Sequence, residues 1–247
     1  MSVFAAAFCH FLLALAFLTR LAPARQADMQ AMRAALAYYP LAGLGLGLFC
    51  TLPFALGLFA SHALVQAWAY VFLSAWLTRA LHLDGLADLL DALGSAKHGE
   101  AFFAVLKDSR LGAFGAVGIS LTLLGYAALI SAHCAHESYA PLIFAPIFGR
   151  CLPVLFARMA PPHEHASLGL LFSGLPHSAK LYIGPVLTLL GGLWLLGPIV
   201  LLLTLALSAC ALLYLRRVAM REGGYNGDYL GCAIIAGELA VFLAALP

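Results

Sequence analysis

A chain of 247 residues that is 64% hydrophobic and only 10% charged does not fit a single water-soluble domain, because soluble domains carry roughly a quarter charged residues. Its formal net charge of +2 is too weak to point to nucleic acid. Its six cysteines (Cys9, Cys50, Cys134, Cys151, Cys210 and Cys232) show no paired spacing, so they read as small apolar filler rather than a disulfide framework or a zinc site. With about 20 apolar residues per crossing, the length admits six to eight spans and no separate soluble domain. Residues 1–247 therefore read as one integral-membrane domain in the lipid bilayer.

The first apolar stretch covers 3–19, and the first positive charge, Arg20, follows it. A cleaved signal would carry its charge before the apolar run, so the stretch reads as a retained helix. Further apolar stretches fall at 36–60, 62–81, 111–131, 139–159, 181–196, 198–214 and 229–246. Gly197-Pro198 could divide the sixth and seventh into a hairpin or kink one long segment. Charge placement favours the hairpin. With it, Arg20, Arg25 and Arg33, then Arg79, Lys97, Lys107 and Arg110, then Arg158 and Lys180, then Arg216, Arg217 and Arg221 all fall on one side. The opposite connections, around Ser61, Cys134 to Tyr139 and Gly197, carry no Lys or Arg. The basic side is expected to be cytoplasmic. Most acids share it, while Glu238 lies inside the last apolar segment and needs an interior partner such as Arg150.

The densest chemistry follows the third stretch, in His82-Leu-Asp84-Gly-Leu-Ala-Asp88-Leu-Leu-Asp91. In a helix Asp84, Asp88 and Asp91 stand at i, i+4 and i+7 on one face. A solvated face would mix in Lys or Glu; three like charges in one stripe repel unless cations lie between them. Oxygen-only ligands select a hard cation, Mg2+ when phosphates complete the shell. Asp84 or Asp88 could also take a proton from an attacking hydroxyl, with His82 as a second candidate acceptor. Gly85 lets a bulky phosphate approach the helix.

Next comes Lys107-Asp108-Ser109-Arg110-Leu-Gly112. Asp108 or Ser109 can cap the incoming helix, and Arg110 can fork onto phosphate or simply snorkel at the membrane edge. Before the last stretch, Gly223-Gly224-Tyr-Asn-Gly227-Asp228 reads as a tight loop that brings backbone and Asp228 to a ligand. The groups His133, Cys134, His136, Glu137 and His163-Glu164-His165 read as solvated loops.

These elements, with Phe17-Leu-Thr-Arg-Leu21 and Pro40-Leu-Ala-Gly43, resemble the cobalamin (5'-phosphate) synthase family, also called adenosylcobinamide-GDP ribazoletransferase. The likeness runs from about residue 11 to the C-terminus, with Ala92 and Ile235 departing from the usual pattern. The resemblance implies an all-α polytopic transmembrane bundle of about seven or eight spans, with short loops and a cytoplasmic-face active site in a bacterial inner membrane. It implies Mg2+-dependent transfer of adenosylcobinamide phosphate from adenosylcobinamide-GDP to α-ribazole or its 5'-phosphate, releasing GMP. It is also compatible with self-association or association with other cobalamin-assembly enzymes. On this reading the metal falls to Asp84, Asp88 and Asp91, and catalysis to Asp84, Asp88 and His82. Substrate contacts fall to Gly85, Asp108, Ser109, Arg110, Gly227 and Asp228. A CDP-alcohol phosphotransferase would show an Arg in its acidic motif, where Asp88 stands here. A transporter would bury charges in several spans, and only Arg150 and Glu238 lie that deep.

Overall fold

Lipid offers no partner to backbone N–H and C=O groups, so segments that cross it become helices. The computed structural model describes residues 3–164, 166–175 and 179–247. Among the described residues it contains α-helices, one 3-10 turn and no strand. The apolar segments become α1 (Val3–Leu18), α2 and α3 (Met29–Ala35 and Tyr39–Ala55, joined through a 3-10 turn), and α4 (Ala63–Leu77). They continue as α7 (Ala113–Ala135), α8 and α9 (Ala140–Gly149 and Leu152–Phe156), α11 (Ala179–Leu196), α12 (Pro198–Glu222) and α13 (Gly227–Ala244). Between them lie α5 (Leu81–Gly94), α6 (Glu100–Leu106) and α10 (Ser167–Phe172).

Among the described residues four segments are long and apolar enough to cross a membrane: Met29–Ala55, Ala113–Ala135, Pro198–Glu222 and Gly227–Ala244. Four shorter apolar helices, Phe4–Leu18, Ala63–Leu77, Ala140–Phe156 and Lys180–Leu196, complete the set. The protein is thus a polytopic helical membrane protein. The second segment begins at Met29 rather than near residue 36, because the Asp28 side chain caps it by accepting from the Ala31 amide at 2.7 Å.

The hairpin at Gly197 is present. Its φ of 82° turns the chain, and a Cβ added at Gly192 would stand 3.1 Å from Leu201. Those residues would be about 13 Å apart along a continuous helix.

Without a hydrophobic drive between helices in lipid, close packing depends on small residues. Gly43 and Gly47 of α3 lie against the α8 backbone; a Cβ there would meet the Pro146 carbonyl oxygen at 2.3 Å and that of Ile143 at 2.5 Å. The bundle also carries the partner expected for Glu238. Arg150, only 1% exposed, donates to one Glu238 oxygen, and the Tyr126 hydroxyl donates to the other at 2.8 Å. This cluster stitches α7, α8 and α13 together within the apolar core.

Hydrogen bonds collect the basic segments at one end of the bundle. Arg79 donates to Phe17 O at 2.6 Å. Arg33 reaches the carbonyls of Leu170 and Ser173, and Arg216 reaches that of Met159. Two histidine groups expected in solvated loops are partly packed instead. His133 is fully buried with Nε2 3.0 Å from Phe242 O, and His163 is buried against Phe103. His165 lies outside the described residues. All six cysteines are free thiols.

Candidate active site

The acidic helix begins where α4 breaks. Arg79 and Ala80 both take positive φ, 56° and 53°, an arrangement unfavourable for residues with a Cβ. Arg79 is held there by its bond to the end of α1, and the Arg20 amide donates to Leu77 O at 2.7 Å. From Leu81 the chain resumes as α5, which packs between α13 and α7. His82, Gly85, Ala87, Leu89 and Ala92 are buried. Asp84 is exposed, and Asp88 and Asp91 are half-buried. The expected stripe of acids is therefore real, and it leaves the apolar side of the helix to the bundle.

Gly85 serves the fold rather than the approach of a phosphate. A Cβ at this position would stand 2.9 Å from the Asp228 Cα, so its absence lets α13 come against α5. This crossing brings Asp228 to the acidic stripe. Burial, then the nearby carboxylates of Asp228, Asp84 and Asp91, push the Asp88 carboxyl up to about 7. The loop before Asp228 is tight. Gly223 and Gly224 have φ of 94° and 140°, and a side chain at Gly224 would meet the His163 amide nitrogen at 2.5 Å. Asn226 caps α13, and its amide group donates to Asp228 Oδ2 at 2.6 Å. Asn226 was not singled out from sequence, although an Asn just before an apolar run is a cap signal. Gly227 opens the helix beside it.

Asp91 has a different occupation from its neighbours. Its Oδ2 accepts from the Gly112 amide at 2.7 Å and its Oδ1 from the Gly115 amide at 2.8 Å. It caps the start of α7 from another helix, the task that Asp108 or Ser109 was expected to perform. Asp108 instead accepts from the Arg110 guanidinium at Nη2, 2.6 Å away, and at Nε. Those bonds hold the Asp108 carboxyl down at about 2. Arg110 and Ser109 stand exposed at the rim. Asp88, Asp91, Val105, Asp108, Arg110, Leu111 and Gly112 line an open depression of about 390 Å³.

His82 does not join this group. It is 7% exposed and lines a separate small cavity of about 40 Å³ with Tyr70, Tyr126, Arg150 and Glu238. Its Nε2 finds no hydrogen-bond partner among the described residues. Its place is behind the acidic face, beside Gly231 of α13.

The arrangement is a set of like-signed carboxylates, an exposed Asp84 with half-buried Asp88 and Asp228, with one guanidinium at the rim. Among the described residues no three His, Cys, Asp or Glu side chains are arranged to hold a metal by themselves. An all-oxygen set with a carboxyl already driven towards protonation fits a hard cation whose shell a phosphate completes.

Comparisons with known proteins give the family of the chain. The family model described as cobalamin-5-phosphate synthase matches residues 10–246. Adenosylcobinamide-GDP ribazoletransferase from Nitratidesulfovibrio vulgaris (strain DSM 19637 / Miyazaki F) is 45% identical over 246 residues, covering 99% of this chain and 98% of the relative. The enzymes of the same name from Syntrophobacter fumaroxidans and Brevibacillus brevis are 36% and 34% identical, covering 96% and 94% of this chain and 97% and 96% of their own. No solved structure shows a significant match. On the match along almost its whole length, the chain belongs to the cobalamin-5-phosphate synthase family.

Proposed function

We infer that this chain is an adenosylcobinamide-GDP ribazoletransferase, joining adenosylcobinamide phosphate to α-ribazole or its 5'-phosphate with release of GMP. The observation that carries the reading is the family match over residues 10–246. The cluster of Asp84, Asp88 and Asp228 beside Arg110 supplies the chemistry it calls for. A ribose hydroxyl attacks the phosphorus on the cobinamide side of the pyrophosphate. The new O–P bond forms as the bond to GMP breaks, and GMP leaves with the electron pair. The hydroxyl proton passes to a carboxylate of the cluster or to water.

Asp84 and Asp88 would hold Mg2+, with Asp228 adjoining them. Bound there, the ion neutralises charge on the diphosphate oxygens. Mg2+ commonly takes only one or two carboxylates and completes its shell with phosphate and water, so the diversion of Asp91 to the α7 amides leaves enough ligands. Arg110 can exchange Asp108 for a substrate phosphate, since guanidinium binds either anion in the same forked manner. Ser109 adds a hydroxyl at the rim, and the amide end of α13 at Gly227 favours phosphate oxygens. The depression is open, which suits a corrinoid too large for a closed pocket. The positive-inside rule supports a cytoplasmic basic end, and the reading puts the protein in the bacterial inner membrane as a multi-pass enzyme.

The test is direct. Membranes containing the protein receive adenosylcobinamide-GDP, α-ribazole and Mg2+, and GMP and the cobalamin product are quantified. Product is expected with Mg2+ and not with chelator. Absence of product from a folded, membrane-inserted protein would overturn the reading.

A further inference from the structure

Glu222 takes no part in the chemistry above, yet it stands where a carboxylate is disfavoured. It is the last residue of α12, where the helix dipole opposes negative charge. Its side chain is fully buried, and a buried carboxylate needs donors. Three meet it. The Gly99 amide donates to Oε2 at 2.9 Å, the His98 Nδ1 lies 3.1 Å from Oε1, and Arg221 Nε donates to that same oxygen.

The identity of those partners gives the contact its meaning. His98 and Gly99 belong to the connection that leaves the acidic helix α5 for α6. Glu222 itself leads directly into the glycine loop that delivers Asp228. The carboxylate therefore joins the end of one ligand-bearing element to the start of the other. Gly99 has φ of 57°, and its amide hydrogen-bonds the Glu222 carboxylate. A second tether links α6 to the same glycine loop through His163. His163 stacks on Phe103 of α6 with ring centroids 3.6 Å apart, and its amide donates to Tyr225 O at 2.8 Å.

We propose that Glu222 is a positioning residue for the transfer reaction: its buried carboxylate locks the segment after the acidic helix to the loop carrying Asp228, and so sets Asp84 and Asp88 against Asp228. It touches neither substrate nor metal and acts through the backbone of Gly99 and the ring of His98. This rests on the transfer reading above. Groups that orient ligands from behind typically change metal affinity or activity by 10- to 100-fold when removed, and small misplacements at a reacting centre have effects of similar size.

The experiment compares purified wild type with Glu222→Gln, Glu222→Ala and His98→Ala. Glu222→Ala is expected to raise the Mg2+ concentration for half-maximal transfer, and the KM for adenosylcobinamide-GDP, by about tenfold. Glu222→Gln keeps an oxygen for the Gly99 amide but loses the charge, so it should fall between wild type and Ala. His98→Ala should move the same way by less. Hydrogen exchange supplies a readout independent of activity. Peptides covering 95–99 and 223–228 should lose protection together in both Glu222 variants. If Glu222→Ala fails to fold, Glu222→Gln and His98→Ala carry the test. The proposal is overturned if the folded variants keep both kinetic constants within about twofold of wild type and lose only thermal stability. It is equally overturned if 95–99 loosens while 223–228 stays protected. A wild type that makes no product sinks the functional reading instead, and exchange alone then decides the lock.

Discussion

Two charged regions of this protein follow opposite rules. In the apolar core Arg150 meets Glu238, and Tyr126 takes the remaining carboxylate oxygen; the charges cancel and the carboxylate is satisfied from within. At the basic end, Asp84, Asp88 and Asp228 lie near one another, and burial with those neighbours drives Asp88 up to about 7. The first region pairs opposite charges, and the second sets like charges side by side. Like-charged groups held together by a fold raise its free energy unless something else binds there. Asp91 sharpens the contrast, since each of its oxygens already accepts from an α7 amide.

The largest expected effect tests the core. Glu238→Ala or Arg150→Ala leaves one buried charge alone, and should destabilise the protein by about 3–5 kcal/mol, measured as thermal unfolding in detergent. The double change Arg150→Met with Glu238→Leu should recover most of that loss. A Glu238→Ala protein as stable as wild type would refute the structural assignment.

At the acidic end the loss should be in rate instead. Asp84→Asn and Asp88→Asn are expected to lower transfer by about 10²- to 10³-fold with the unfolding midpoint unchanged or raised, because a repelling charge has gone. Full activity in both variants would remove these residues from the site. Asp91→Asn should behave like neither set. An amide cannot accept at both ends, so one α7 amide loses its acceptor, at about 1–3 kcal/mol of stability. Rate per folded molecule should fall less than for Asp88→Asn. A rate loss equal to that of Asp88→Asn, with no change in stability, would restore Asp91 to the metal. The smallest effect belongs to Arg110→Ala, which should raise the KM for adenosylcobinamide-GDP by roughly tenfold with kcat nearly retained. Binding that stays unchanged in that variant would leave Arg110 as a simple partner of Asp108.

What the sequence determined is what spacing along a helix determines. The eight apolar stretches, the hairpin at Gly197-Pro198, the sidedness of the basic residues, and Asp84, Asp88 and Asp91 on one stripe all follow from periodicity and charge counting. Local chemistry also foretold that Glu238 would need an interior partner, with Arg150, another polar group or water as candidates. Which side chains face one another was decided only by the crossing of α5 with α7 and α13. That crossing sends Asp91 to the α7 amides, brings Asp228 beside Gly85, sets His82 behind the cleft and places Glu222 under Gly99. The Asp91–Gly112 and Glu222–Gly99 pairs, for example, lie 21 and 123 positions apart in the chain. They depend on where glycines let backbones meet, a three-dimensional condition that helical spacing cannot express.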